Sequence, residues 1–141
     1  MKKYKVLFLC TGNTARSQIG EAWLRKYAGD RMEVFSAGLE PGIIHPYTVQ
    51  VMEEAGIDMS QYHSKSLKEY LGKIHFSFLI TVCDKAEEKC PIFPGMGQRL
   101  FWPFEDPAAF QGSEIEKLTR FREVRDQIEK KVLAWLDTIN S

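Results

Sequence analysis

The feature that most constrains the fold of this chain is the alternation of short apolar runs with segments of helical periodicity. Four apolar or β-branched runs are typical of strands, at 5–9, 32–36, 76–82 and 99–104. Helical spacing of apolar residues marks the segments 17–27, 46–56, 66–71 and 113–139. Strands that alternate with helices pair in parallel, with the helices as crossovers. The pattern therefore predicts an α/β fold with a parallel sheet.

The size and charge of the chain exclude several classes of protein. A chain of 141 residues is long enough for one domain, which we expect to span 1–141. Its 19 basic and 19 acidic residues balance, so no charge excess favours nucleic acid or a membrane surface. The apolar run behind the basic start, 6–10, is too short for an export signal, and no run approaches the roughly 20 residues of a membrane span. We expect a cytoplasmic monomer.

The chain has three cysteines, Cys10, Cys83 and Cys90. An odd number in a chain without an export signal does not favour a structural disulfide framework, since cytosolic thiols are kept reduced. Each cysteine is therefore either an ordinary thiol or part of the chemistry.

The segment 10–17, Cys-Thr-Gly-Asn-Thr-Ala-Arg-Ser, joins the first strand to the first helix. Five residues between Cys10 and Arg16 can curl around one phosphate-sized anion and aim backbone N–H groups at it, beside the helix N-terminus. Gly12 is expected to supply the tight turn. The predicted anion-binding residues are Thr11, Gly12, Asn13, Thr14, Ala15, Arg16 and Ser17.

Within this loop the residue types predict nucleophilic chemistry. The field that binds an anion also lowers the pKa of a thiol, so Cys10 is expected to be a thiolate nucleophile. Arg16 can bind two oxygens of the anion with its planar guanidinium group. Ser17 can donate to the sulfur, and Asn13 can fix the loop through its amide. The alternative is a buried cysteine at a strand end and an ordinary surface arginine.

The loop at the N-terminus and the later Asp106-Pro107 pair resemble the low-molecular-weight protein tyrosine phosphatase superfamily. The resemblance covers nearly the whole chain. It implies a three-layer α/β/α fold with a four-stranded parallel sheet in the order 2-1-3-4. It also implies that Asp106 is the general acid, a role that a carboxylic acid near the anion can fill. Taken alone, an Asp-Pro pair is equally typical of a turn.

The spacing of Cys83 and Cys90 resembles the thioredoxin-coupled arsenate reductases, a branch of the same superfamily. The resemblance implies that Cys10 attacks arsenate, for which phosphate or sulfate are analogues, while Asp106 protonates the departing oxygen. Cys83 then attacks Cys10 and releases arsenite, and Cys90 attacks Cys83. Thioredoxin reduces the resulting disulfide, and the reaction serves arsenic detoxification. The alternative is one core thiol and one surface thiol.

The separation of Cys83 and Cys90 predicts a conformational change in the segment between them. In a helix, seven residues span roughly 10 Å. A disulfide tolerates a Cα separation of at most about 7 Å, so a helix there must unwind during turnover. The segment 84–89 is almost wholly polar and has little to bury, which predicts a marginal helix.

No cofactor and no metal site is expected. The histidines lack paired ligand spacing: His45, His63 and His75. Some arsenate reductases of this branch bind potassium through an Asn, a Glu, a Ser and an Asp, and Asn13, Glu21 and Ser36 match three of these. The fourth position falls in 63–66, where the ammonium of Lys65 can take the place of the cation.

Two further hypotheses stay open beside arsenate reduction. A low-molecular-weight protein tyrosine phosphatase would need only Cys10, Arg16 and Asp106, and a reductase can retain this as a side activity. In the phosphatase branch aromatic residues follow the Asp-Pro pair, whereas here only Phe110 could line a slot for an aromatic ring. The third hypothesis is an oxyanion-binding or redox-sensing module without catalysis.

Overall fold

The computed structural model describes residues 4–89 and 96–139. Its sheet has four parallel strands in the order β2-β1-β3-β4, which confirms the fold predicted from the resemblance. The strands are β1 (Tyr4–Cys10), β2 (Met32–Gly38), β3 (Phe76–Thr81) and β4 (Met96–Phe101). The helices around them are α1 (Arg16–Ala28), α2 (Pro46–Glu54), α3 (Asp84–Lys89) and α4 (Glu114–Ile139). Short 3₁₀ turns lie at Leu67–Glu69 and Pro107–Ala109.

Strand β1 lies in the middle of the core. It pairs with β2 on one side and β3 on the other, and its residues 6–9 are completely buried. A strand covered on both faces needs a continuous apolar run, which explains Val-Leu-Phe-Leu before Cys10. Because parallel strands end at the same edge, Cys10 lies opposite Gly38 of β2, and Leu9 lies opposite Thr81 of β3. The loops that follow β1 and β3 therefore meet at this edge.

Strand β4 lies three residues earlier than predicted, at Met96–Phe101 instead of 99–104. Pro103 has no N–H to donate, which limits the ladder at its C-terminal end. The early start escaped the pattern because of Gly97, which is a weak strand former. A side chain on Gly97 would collide with the backbone carbonyl of Ser77, so the close approach of β4 to β3 needs a glycine there.

Helix α4 begins as predicted but is not buried along its whole length. Ser113 and Glu116 form a capping box, with each side chain accepting from the other residue's backbone N–H at 3.1 and 3.0 Å. Ile115, one of the apolar residues in the helical spacing over 113–139, is 77% exposed. The helix has 26 residues, about 39 Å, and a strand of this sheet spans only about 20 Å, so the first turn projects beyond the core. Its buried residues are Phe121, Val124, Ile128, Val132 and Leu136.

Within the described ranges, no helix combines the length and the apolar character that crossing a membrane requires.

Candidate active site

Cys10 is the last residue of β1, and α1 begins six residues later at Arg16. Ala15 occupies the N-cap position of α1, where its methyl group cannot cap the first N–H groups of the helix. The positive end of the helix dipole therefore adjoins the loop 11–15. A helix N-terminus without a side-chain cap, next to a loop, is an arrangement in which proteins commonly bind anions.

The tight turn of the loop is made by Asn13 and not by Gly12. Asn13 has φ 55°, and it is the non-glycine residue with positive φ among the residues that the structure describes. The expectation that Gly12 supplies the special conformation is wrong. Asparagine tolerates the left-handed region because its short polar side chain bonds locally, and here it does so from both ends of its amide.

Asn13 is held by hydrogen bonds on all sides. Its Oδ1 accepts from the backbone N–H of Lys65 and from Nε2 of Gln18, both at 2.9 Å. Its carbonyl accepts from Ser64 Oγ at 2.7 Å, and its Nδ2 donates to Ser17 Oγ at 2.7 Å. Since a backbone N–H can only donate, the contact with Lys65 fixes which end of the amide faces Ser17. The predicted role of Asn13 in fixing the loop is confirmed by these contacts.

The sulfur of Cys10 has two polar neighbours. Ser17 Oγ lies 2.8 Å from Cys10 Sγ, and the N–H of Asn13 donates to the same sulfur at 3.0 Å. Either atom of the Cys10–Ser17 pair can be the donor, and towards a Cys10 thiolate the donor is the Ser17 hydroxyl. Burial raises the pKa of the Cys10 thiol above its ordinary value, while these hydrogen bonds and the Arg16 charge lower it by less. The expected lowering of the Cys10 pKa is therefore wrong, because the thiol is buried in the core.

Arg16 and Asp106 lie side by side at the mouth of the loop. Arg16 Nη1 donates to the carbonyl of Phe104 at 3.0 Å, and its Nη2 lies 3.8 Å from Asp106 Oδ2. Asp106 also caps the turn at Pro107–Ala109 by accepting from the N–H of Ala108 at 3.0 Å. Its side chain is 43% exposed, which leaves a carboxyl oxygen able to exchange protons with solvent or a ligand. The turn role and the general-acid role are compatible in this geometry.

Cys83 follows β3 and lies next to the loop. It is buried, and its Sγ is 3.5 Å from Thr11 Oγ1. Cys10 and Cys83 are both free thiols at the ends of neighbouring strands. The segment after Cys83 forms helix α3, so it is helical as the predicted conformational change requires. Cys90 lies outside the described residues.

Lys65 lies beside Glu21, one of the residues that match the potassium ligands of some arsenate reductases. Its Nζ lies 3.7 Å from Glu21 Oε1 and donates to the carbonyl of His63 at 2.7 Å, with side-chain exposures of 11% for Lys65 and 5% for Glu21. Glu21 also accepts from Ser36 Oγ and from Arg25. Burial lowers the pKa of Lys65, and the nearby Glu21 carboxylate opposes that shift. Across residues 4–89 and 96–139, no group of three or more His, Cys, Asp or Glu residues is arranged to hold a metal.

Phe110, the one candidate for an aromatic slot, packs against α4. The guanidinium carbon of Arg120 lies 4.4 Å from the centre of its ring, and Arg120 also pairs with Glu105 at 3.0 Å. A cation over an aromatic face is a favourable contact, so this face of Phe110 is already occupied. The sequence position of Phe110 does not indicate that its ring packs against Arg120 of α4.

Sequence reasoning missed three residues that support the loop. Gln18 donates to Asn13 and also to the carbonyl of His63 at 3.0 Å, and Ser64 bonds the Asn13 carbonyl. A Cβ on Gly38 would lie 2.7 Å from the Thr11 carbonyl and 2.9 Å from the Asn13 nitrogen, so only glycine admits the loop there. A glycine that closes a strand was the available signal for Gly38. Ser64 and the contact of Gln18 with His63 carried no signal, because these partners are distant in the chain.

This loop, strand order and arginine–aspartate pair define a phosphatase-type oxyanion site. Residues 5–141 match the low molecular weight phosphotyrosine protein phosphatase family, and the chain belongs to that family.

Relatives within the family point to one branch. The arsenate reductase of Halalkalibacterium halodurans is 41% identical over 139 residues, which cover 98% of this chain and 99% of that protein. A solved structure described as an arsenate reductase in the phosphate binding state has a TM-score of 0.81 and 29% identity, with 99% of each chain covered. The thioredoxin-dependent arsenate reductase of Corynebacterium glutamicum gives a TM-score of 0.74 at 28% identity, covering 99% of this chain and 63% of that one. The resemblance predicted from the sequence is confirmed.

Proposed function

We propose that this protein reduces arsenate to arsenite through a relay of Cys10, Cys83 and Cys90, with thioredoxin as the electron donor. The observation that carries the proposal is the second buried thiol, Cys83, beside the anion-binding loop. A hydrolase of this family needs one cysteine, whereas a reductase needs a second thiol within reach of the first. The full-length relatives named as arsenate reductases support the same reaction.

In the first step the loop binds arsenate through its N–H groups, the start of α1 and the guanidinium of Arg16. The doubly charged oxyanion takes the proton of the Cys10 thiol, which frees the sulfur as a nucleophile. The sulfur then attacks arsenic, and one oxygen, protonated with the help of Asp106, leaves as water. The product is a Cys10–arsenic(V) thioester, and no electrons have yet been transferred to arsenic.

In the second step Cys83 attacks the sulfur of Cys10. The sulfur–arsenic bond breaks, its electron pair stays on arsenic, and arsenite leaves while a Cys10–Cys83 disulfide forms. Cys90 then attacks Cys83, which releases Cys10 as a thiolate and leaves a Cys83–Cys90 disulfide. Cys10 and Cys83 are both buried, so a disulfide between them is poorly accessible to a protein reductant. In the proposed relay a third cysteine takes over the disulfide from Cys10 and returns Cys10 to its free form.

The dithiol of thioredoxin would return two electrons to the Cys83–Cys90 disulfide. This cycle requires a compartment that keeps thiols reduced, and we therefore propose a cytoplasmic location.

The test is arsenite release in the presence of thioredoxin, thioredoxin reductase and NADPH. We expect the wild type to turn over many times, Cys90→Ser to release at most one arsenite per enzyme, and Cys10→Ser to release none. Multiple turnover by Cys90→Ser at the wild-type rate would contradict the relay. Absence of arsenite from the wild type would contradict arsenate reduction altogether.

A phosphatase is the second candidate, because Cys10, Arg16 and Asp106 lie together without any need for Cys83. Under this alternative, Cys83→Ser and Cys90→Ser hydrolyse an aryl phosphate at the wild-type rate and the protein does not oxidise thioredoxin in the presence of arsenate. The packing of Phe110 under Arg120 argues against a slot built for an aromatic ring.

A further inference from the structure

Glu87 of α3 makes contacts that the relay as proposed does not use. Its carboxylate accepts a hydrogen bond from Thr81 Oγ1 and lies 3.4 Å from Nε of Arg99. Arg99 also donates from Nη2 to the backbone carbonyl of Glu87. Thr81 is completely buried at the end of β3, and Arg99 lies in β4. We call Thr81, Glu87 and Arg99 the Glu87 cluster.

Helix α3 depends on such tertiary contacts because it is very short. It has six residues, and isolated helices below about 12 residues are marginal in water. Among the side chains of α3 that the structure describes, Ala86 is buried, Glu87 is half-buried, and Asp84 and Glu88 are exposed. The Glu87 cluster and the methyl group of Ala86 therefore supply the attachment of α3 to the sheet.

The same helix fixes the position of Cys83. The N–H of Glu87 donates to the carbonyl of Cys83 at 3.1 Å, and Cys83 Sγ lies against Thr11. While α3 is wound, Cys83 is thus held on the side of Cys10. Seven residues of wound helix rise by roughly 10 Å, whereas a disulfide tolerates a Cα separation of at most about 7 Å. Glu87 must therefore leave Thr81 and Arg99 before Cys90 can react.

Thr81 keeps a hydrogen-bond acceptor when the Glu87 cluster opens. Thr81 Oγ1 also lies 3.3 Å from the carbonyl of Leu100, which can take its hydrogen when Glu87 departs. An unsatisfied buried hydroxyl would oppose opening, and Thr81 does not become one.

We propose that Glu87 is a positioning residue that controls the order of the two disulfide steps. With the cluster closed, Cys83 faces Cys10 and arsenite release is favoured. Opening of the cluster then limits the rate at which Cys90 attacks Cys83. The inference rests on the proposed relay, and it predicts that breaking the cluster has opposite effects on the two steps.

The test compares Glu87→Gln with Glu88→Gln, an identical change of charge at the adjacent exposed position. In a single turnover without thioredoxin, arsenite release and the Cys83–Cys90 disulfide are followed by rapid quenching and mass spectrometry. For Glu87→Gln we expect the Cys83–Cys90 disulfide to form about fivefold faster from the Cys10–Cys83 intermediate, and arsenite release to be about twofold slower. Glu88→Gln should match the wild type in both steps.

Hydrogen exchange of the reduced protein gives a second measurement that needs no chemistry. Amides of 84–89 should exchange about fivefold faster in Glu87→Gln, and less markedly so in Thr81→Val, which removes the hydroxyl without changing charge. A purely structural role of Glu87 would slow both chemical steps, and that result would overturn the proposal. Equal exchange in the Glu87→Gln and Glu88→Gln variants would overturn it as well.

The two experiments separate failure of this inference from failure of the relay. If the wild type releases arsenite but forms no Cys83–Cys90 disulfide, the relay is wrong. The proposed role of Glu87 is then wrong as well. If the disulfide forms at the same rate in the wild type and Glu87→Gln, the relay stands and only the role of Glu87 is wrong.

Discussion

The anion-binding loop and helix α3 lie at the same edge of the sheet but are held in very different ways. In the loop, Asn13 is bonded through both ends of its amide and through its carbonyl, and Gly38 lets the neighbouring strand support it closely. Helix α3 is attached through the Glu87 cluster and one buried methyl group, that of Ala86. A buried network of many hydrogen bonds is rigid, whereas a short polar helix opens locally.

This difference matches the demands of the two halves of the proposed reaction. Attack on an oxyanion gains most from donors that are already in place before the reaction. Disulfide exchange over seven residues gains from a segment that can change shape. In the proposed reaction the rigid part of the site would carry the nucleophile Cys10, and the short helix α3 directly follows Cys83. The predictions below test this contrast, beginning with the largest expected effect.

Replacing Arg16 by lysine should reduce the activity more than the other changes tested below. Arg16→Lys keeps the charge but loses the planar fork, so we expect kcat/KM for arsenate to fall about 100-fold or more. Steady-state arsenite release measures the loss. Arg31→Lys, the same change at an exposed position outside the loop, is the control and should behave as the wild type. A loss below about threefold for Arg16→Lys would contradict bidentate binding.

Removing the hydroxyl of Ser17 should change the ionisation of Cys10. The hydrogen bond from Ser17 lowers the pKa of Cys10, so Ser17→Ala should raise that pKa further above its ordinary value. Only the thiolate is alkylated, and its reactivity should therefore begin at higher pH. A shift of one unit would slow alkylation at neutral pH about tenfold.

The pH dependence of iodoacetamide labelling at Cys10 checks this prediction, with Ser64→Ala as the control. Ser64 bonds the Asn13 carbonyl and does not contact the sulfur, so its removal should shift the profile less. Superimposable profiles for the wild type and Ser17→Ala would show that Ser17 does not act on the sulfur.

A glycine in each of two helices should separate local from global stability. Ala86→Gly in α3 weakens the helix by about 1 kcal/mol, which should speed amide exchange of 84–89 about fivefold with little change in Tm. Ala22→Gly in α1, where the alanine is equally buried, should lower Tm by several degrees because α1 belongs to the core. Thermal unfolding and hydrogen exchange measure both. If the two variants lowered Tm equally, α3 would be part of the cooperative core and the contrast would be lost.

The smallest expected effect is that of potassium. Because the ammonium of Lys65 lies against Glu21, we expect equal kcat/KM in potassium and sodium chloride at matched ionic strength. Clear activation by potassium would show that a free cation binds beside the loop despite Lys65.

Much of the site was predictable because its members are close in sequence. Cys10, Asn13, Arg16 and Ser17 lie within eight residues at a strand–helix junction, so their spacing alone indicated a common site. Cys83 was singled out by its resemblance to the second cysteine of the arsenate reductases, and the strand before it does pair with β1. The resemblance to known enzymes added the role of Asp106, which its own turn signal did not indicate.

Other features depend on partners that are far away in the chain. Asn13 is held by hydrogen bonds from Lys65 and Ser64, and the ring face of Phe110 is covered by the guanidinium group of Arg120. The raised pKa of Cys10 follows from burial, which a local motif does not report. The exposure of Ile115 reflects a helix longer than the sheet, since helical periodicity says which face is apolar but not where the core ends.

By itself, the sequence determined the fold class, the strand order through its resemblance, and the candidate residues for binding and attacking an oxyanion. These follow from local periodicity and from chemistry that is carried by single residues. Only the tertiary structure decided that Asn13 makes the turn, that the Cys10 thiol is desolvated, and that Glu87 ties α3 to Thr81 and Arg99. Those properties arise from burial and from contacts between distant segments, and neither exists until the chain has folded.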